Sequence, residues 1–413
     1  MFAIPLAWLQ LQREKIRLLV ALAGISFAVI LMFIQMGFQQ ALLESAVAFH
    51  QSLKGDIFLV STQSTALVAM KSFSDRRLYP ALGVEAVEDV SPMYLGLGIW
   101  KNPFWQGPPK SQTRSILVIG IDPTDQVLNV VGLTPENQNQ LRQNDVVLFD
   151  RKSRDEFGPI AERFPAAQAT NTPIQAELEN RRLEVGGLFE LGASFGADGN
   201  LITSDTTFRR IFTQRQLGQI DVGIIRLKPG ADLGAALDAL KQTLPGELRI
   251  NPKLSAQEAR ENFIKGDIRV LSRQAFVNME RKYWEEGTAI GFIFGLGTAI
   301  GFVVGIVIVY QILYTDVTDH LAEYATLKAM GYRNQYLLKV VFQQALLLAV
   351  MGYIPGYLLS TGMYKLTRNA TALPIDMTPE RGIVVLILTI VMCMVSGAIA
   401  VRKVSDADPA DIF

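Results

Sequence analysis

The stretch Gly192-Ala193-Ser194-Phe195-Gly196 matches G-x-S-x-G, the pattern that presents a nucleophilic serine in hydrolases. That chemistry needs a strand before the serine, a helix after it and a histidine later in the chain. Here Ala197-Asp198-Gly199-Asn200 follows, which reads as a turn. The chain has two histidines: His50 precedes the serine, and His320 falls in a segment expected on the far side of a membrane. A glycine-rich hairpin is the better reading. The two histidines and the single Cys393 form neither H-E-x-x-H nor C-x-x-C, so no metal site, catalytic residue or cofactor is expected. Glu285-Glu286 reads as solvated surface. No G-x-x-x-x-G-K-[ST] occurs, so this chain has no loop to cradle ATP phosphates. If ATP drives it, another polypeptide binds the nucleotide and its Mg.

What would position such groups is a membrane. Charged residues make up 19% of the 413, below the usual quarter, and the deficit is concentrated. Residues 18–43, 287–315, 340–364 and 382–401 contain no Asp, Glu, Lys or Arg. Each run is about the 20 residues that a helix needs to cross a bilayer. Their main polar residues are Ser26, Gln35 and Gln311, so no ionisable group is available inside the spans to carry a coupled ion. Secondary transport is disfavoured. The formal net charge is zero, which argues against nucleic acid as a partner.

Arg13, Lys15, Arg17, Lys328, Arg333, Lys339, Arg402 and Lys403 flank one side of the spans, against Lys365, Arg368 and Arg381 on the other. That bias favours both termini in the cytoplasm. The first run is too long for a cleaved leader and reads as a retained anchor. The expected layout is an amphipathic N-terminal helix (1–17), span one with a stalk (18–43) and a periplasmic domain (44–286). Span two (287–314), a cytoplasmic helix (315–336) and span three (337–360) follow. A short periplasmic loop (361–381), span four (382–401) and a tail (402–413) complete it.

The outer region alternates apolar runs at 56–61, 115–121, 145–149 and 221–227, read as strands, with an amphipathic helix over 231–244. The fold class is therefore an α-helical membrane protein with four spans (1+3) and a large mixed α+β domain between spans one and two. Residues 187–199 read as hairpin-rich, and 257–286 as a polar helix returning to the membrane as a stalk. In span two, Gly297, Gly301 and Gly305 recur every four residues, which predicts a close-packing face toward another span or another subunit.

Between spans two and three lies YTDVTDHLAEYATLKAMGY, residues 314–332. Burying Asp316, Asp319, Glu323, Lys328, Arg333 and Lys339 at bilayer depth would cost about 15 kcal/mol at roughly 2.5–3.5 each, so this segment lies outside the lipid. Val317, Leu321, Tyr324 and Leu327 fall at helical spacing, acids lead, bases follow, and Gly331 suits a left-handed cap. A helix resting on headgroups and a helix docking into a cytoplasmic partner both fit.

Glu323, Tyr324, Ala325, Thr326, Leu327, Lys328, Ala329, Met330 and Gly331 together resemble the E-x-x-x-L-[KR]-A-[IML]-G signature of the FtsX/MacB-like permeases, the type VII or mechanotransmission ABC transporters. The ending Asp406-Ala407-Asp408-Pro409-Ala410 and the phrases Lys54-Gly55-Asp56-Ile57, Gly120-Ile121-Asp122-Pro123 and Lys228-Pro229-Gly230-Ala231-Asp232 are similar to that family's, along essentially the whole chain. Residues 290–295 and 307–332 resemble the DevC branch. The resemblance implies a non-enzymatic permease, dimeric with itself, bound to a cytoplasmic ABC ATPase through residues 323–331. It also implies a periplasmic membrane-fusion adaptor and, through it, a TolC-like outer-membrane duct. The best-known branch members export glycolipid in cyanobacteria, so an envelope-bound or hydrophobic cargo is expected. A different expectation stands beside it: an FtsX-like regulator that activates an extracytoplasmic hydrolase without transport.

Overall fold

Long apolar runs fold as helices here, and short apolar runs as buried strands. The computed structural model describes residues 15–108, 112–194, 196–319, 334–371 and 373–405. Two units emerge: Met1–Ala41 with Ala289–Phe413, and Leu42–Thr288. The long helices are α1 (Lys15–Ser52), α2 (Arg273–Glu286), α3 (Ala289–Asp319), α4 (Asn334–Thr371) and α5 (Pro379–Ser405). All but α2 contain a stretch long and apolar enough to cross a membrane. At 1.5 Å per residue the 38-residue α1 is about 57 Å long, against a hydrocarbon core of about 30 Å.

In the membrane unit, Ile25, Ala28, Val29, Met32 and Phe33 of α1 are fully buried among Val309 and Leu313 of α3, Ala345 and Leu348 of α4 and Met392 of α5. The opposite face of α3 exposes Phe292, Ile300, Val303 and Val307 at helical spacing, as lipid contact requires.

The outer unit is built on strands β1 (Ile57–Ser61), β2 (Phe73–Ser74), β3 (Val87–Lys101), β4 (Thr113–Ile121), β5 (Val146–Asp150), β6 (Ile174–Leu178) and β7 (Arg181–Phe189). After them come β8 (Asn200–Ser204), β9 (Gln219–Ile220), β10 (Val222–Leu227), β11 (Leu248–Arg249), β12 (Asn262–Lys265) and β13 (Ile268–Ser272). The main sheet runs β11-β12-β13-β1-β10-β3-β4-β8-β5-β7-β6. Fifteen-residue β3 joins its two halves, pairing with β10 through residues 87–93 and with β4 through residues 94–101. Trp100 and Lys101 also pair with Leu178 and Glu177 of β6, which closes the second half on itself. Trp100 is buried at that closure and its indole donates to the Phe157 carbonyl at 3.1 Å. All five residues of β1 are buried, because both faces of the sheet are covered there.

A buried ion pair pins the middle of the sheet. Asp221 accepts from Leu95 N–H at 2.7 Å and from the Arg215 guanidinium, which also donates to the Leu95 carbonyl. Burial pushes the Asp221 carboxyl up, and Arg215 opposes that shift.

Two segments depart from the sequence-based expectation. Residues 257–286 do not form one helix. A short helix Ala256–Glu261 is followed by the β12–β13 hairpin, and α2 starts at Arg273. Gly266 turns the hairpin with φ +62°, a conformation open to glycine without strain. Residues 187–199 are not a hairpin either, because β5 lies between β7 and β8 and the segment crosses over it.

Candidate functional site

Residues 323–331, expected to dock an ATPase, lie outside the described residues, as do residues 1–14 and the Asp-Pro ending. The elements that hold this segment are described. The α3 helix continues past 314 to Asp319, and α4 begins at Asn334. Asp316, 7% exposed, accepts a hydrogen bond from Gln344 Nε2 of α4 at 3.1 Å. Asp319 pairs with Arg17 of α1 at 2.7 Å. Thr315 and Thr318 return their hydroxyls to the carbonyls of Gln311 and Tyr314. Polar side chains thus tie α1 and α4 to the end of α3, the helix that feeds the segment. One fastening is buried, and the other is exposed enough for its stability contribution to be small.

The glycine stripe of α3 is turned into the same chain. A Cβ at Gly297 would lie 2.5 Å from Gln35 Cδ, and one at Gly301 would lie 3.3 Å from Leu31 Cβ. One at Gly305 would overlap Met392 and lie 2.9 Å from Ala28 Cβ. These glycines therefore let α3 approach α1 and α5.

A second small-residue contact was not anticipated from the sequence. Gly352 and Gly356 of α4 sit one turn apart against α1, where added Cβ atoms would lie 2.5 Å from Ile25 Cγ2 and 2.6 Å from Val29 Cγ1. Ser26 Oγ donates to the Gly352 carbonyl at 2.9 Å. Gly24 of α1 similarly admits Ile308, and Gly37 admits Tyr364, whose hydroxyl donates to the Phe33 carbonyl. The four-residue spacing of Gly352 and Gly356 was the available signal, but Pro355 and the isolated Gly362 obscure it.

Among the described residues, Ser194 lies in a loop and not at a strand-to-helix elbow. Its Oγ accepts from Ala197 N–H at 3.1 Å, and the chain enters β8 rather than a helix. The loop is anchored by Asp150, whose carboxylate accepts from Leu191 N–H, Gly192 N–H and Asn200 Nδ2 at 2.8–3.1 Å. Cys393 is buried in the core of the spans.

The MacB-like periplasmic core domain family matches residues 18–243, more than half of the chain, and the FtsX-like permease C-terminal family matches residues 288–409. No curated protein matches the chain. Among solved structures, the periplasmic region of MacB from Actinobacillus actinomycetemcomitans is similar at 12% identity and a TM-score of 0.31. That match covers 56% of this chain and 94% of that one. The extracellular domain of the noncanonic ABC-type transporter YknZ from Gram-positive bacteria is similar at 13% identity and a TM-score of 0.28. It covers 45% of this chain and 87% of that one. With one apolar helix before a MacB-like extracytoplasmic domain and three after it, the chain belongs to the MacB/FtsX-like family of ABC-transporter permeases, whose ATPase is a separate component.

Proposed function

We propose that this chain is the permease subunit of an ATP-driven exporter and transmits the motion of a cytoplasmic ATPase to its outer unit. The observation that carries the reading is α1, one unbroken 38-residue helix whose residues 15–41 belong to the membrane unit and 42–52 to the outer unit. A helix is stiff along its axis, so displacement at one end is delivered at the other. The return path is nearly as continuous. Only Gly287 and Thr288 separate α2 from α3, and they stay bonded to the preceding turn through Gly287 N–H to Tyr283 O and Thr288 Oγ1 to Trp284 O. Gly24, Gly352 and Gly356 bring the span backbones close, a packing suited to moving α1 with its neighbours.

In this reading Glu323, Tyr324, Thr326, Leu327, Lys328, Ala329, Met330 and Gly331 form the ATPase-coupling helix. The chain works as a homodimer with a membrane-fusion adaptor and a TolC-like duct, as in the DevC branch. The cargo is a glycolipid or another envelope-bound, hydrophobic molecule. The test is purification of the full chain from its native membrane with identification of every bound partner. An ATPase together with an adaptor supports export. An ATPase with a cell-wall hydrolase and no adaptor overturns export in favour of regulation, and no ATPase overturns both.

A further inference from the structure

At the outer end of α1, beyond the apolar run, His50 is completely buried, and neither of its ring nitrogens has a hydrogen-bond partner. Its Nε2 lies 3.5 Å from Oε2 of Glu280 on α2, a carboxyl only 1% exposed. Glu280 is itself well held: Oε2 accepts from Leu67 N–H at 2.7 Å, and Oε1 accepts from the Trp284 indole at 2.8 Å. Phe276 packs on the imidazole at 4.5 Å and stacks on Phe58 of β1. The joint therefore fastens three pieces of the outer unit: the end of α1, the short helix Leu67–Ala69 and α2.

We propose that His50 and Glu280 are a positioning pair which carries one proton in total, on one member or the other, and holds the end of α1 against α2 with a strength insensitive to acidity. This rests on the reading of α1 and α2 as the transmission path.

Burial pushes the Glu280 carboxyl up to about 7 against the hydrogen bonds from Trp284 and Leu67, so the closed joint keeps its proton on the acid. Complete burial penalises the imidazolium, so His50 is neutral in the closed joint. When the joint opens and both groups meet water, the order reverses, because a free imidazole titrates near 6.5 and a free carboxyl near 4.5. Closure thus removes a proton from the imidazolium nitrogen and places one on the Glu280 carboxylate. The pair holds one proton on both sides, and the equilibrium has no pH slope across that window.

The surrounding charges leave this exchange to the pair. Arg269 of β13 donates to Met279 Sδ, and Arg273 donates to the carbonyls of Leu53 and Gly55. Lys282 pairs with Glu286, while Arg281 and Glu285 are half-exposed and exposed. Glu44 lies nearly two turns back on α1, and β1 and the short helix carry no charge.

The experiment is hydrogen exchange on the full chain in lipid nanodiscs, without nucleotide or partner, read as protection factors for residues 46–52 and 273–286. Between pH 4.5 and about 6.5, wild-type protection stays within about threefold. His50→Leu leaves the acid alone, so protection falls about fortyfold as pH rises across the same two units. Glu280→Gln leaves the imidazole alone, so protection rises about fiftyfold over that range. An infrared band of a protonated carboxyl at pH 6, present in wild type and absent from Glu280→Gln, is also expected. A wild-type profile that moves by more than tenfold overturns the pairing even if neither variant folds. Variant slopes of the same sign, or no infrared difference, overturn it as well. Failure of the transmission reading is separate: the opposed slopes persist, but no ATPase binds.

Discussion

Replacing Gly356 by leucine tests the α1–α4 contact at its tightest backbone approach. The new Cβ would lie 2.6 Å from Val29 Cγ1, 2.8 Å from Val29 Cβ and 3.2 Å from the Ser26 carbonyl oxygen. A side-chain methyl can rotate away, but the Ser26 carbonyl belongs to the backbone of α1, so relief requires the helices to separate. Overpacking of this kind costs about 1–3 kcal/mol. Separation also lengthens the 2.9 Å bond from Ser26 Oγ to the Gly352 carbonyl, worth about 0.6 kcal/mol in a membrane. Leucine returns about 0.8 kcal/mol of helix propensity. The net loss is roughly 1–3 kcal/mol, or about 5- to 150-fold in the folding equilibrium. The internal control is Gly362→Leu on the same helix, where an added Cβ meets nothing within 4 Å. Unfolding of the full chain by increasing denaturing detergent, followed by loss of helical circular dichroism, gives both values. Equal stability of Gly356→Leu and Gly362→Leu would refute the close-approach reasoning.

Met330→Glu, in the segment proposed to dock the ATPase, is expected to abolish ATPase copurification while leaving the chain folded; undiminished copurification counts against that assignment. Arg215→Met leaves Asp221, 2% exposed, without its cation, so the outer unit should lose about 3–5 kcal/mol in urea melts, and adding Asp221→Leu should restore most of it. The Arg181 guanidinium, bonded to both Asp145 oxygens, holds that carboxyl below its ordinary value of 3.8, with Arg210 adding to the effect. Its contribution is therefore complete above that value and is lost as pH falls through the lower folded one. The stability gap between wild type and Asp145→Asn should be constant near neutrality and shrink toward pH 3. A gap that widens on acidification would show that the pairing does not hold the acid.

How much of this was legible depended on the pattern each element writes. The four apolar runs were clear because lipid on one face and helix packing on the other both call for apolar residues, and the strands at 56–61, 115–121, 145–149 and 221–227 because burial on both faces of the sheet leaves a continuous signal. The hairpin over 262–272 was not, because Lys265, Gly266, Asp267 and Arg269 give a nine-residue pair of strands the polarity of a surface helix. The glycines of α3 showed their register, yet which helix they face is a tertiary fact that no spacing contains. His50 and Glu280 are 230 residues apart, and Glu280 sits in Glu280-Arg281-Lys282-Tyr283-Trp284-Glu285-Glu286, where composition predicts solvent. Its burial comes from the fold bringing Leu67 and His50 to the face of α2 that it shares with Trp284, and nothing local announces that.

The most direct test of transmission is hydrogen exchange on the native complex with its ATPase, comparing the nucleotide-free state with one trapped by ATP and vanadate. The account predicts altered protection at residues 42–52 and 273–288, in step with changes flanking residues 320–333. ATP turnover with changes confined to the cytoplasmic side would contradict it.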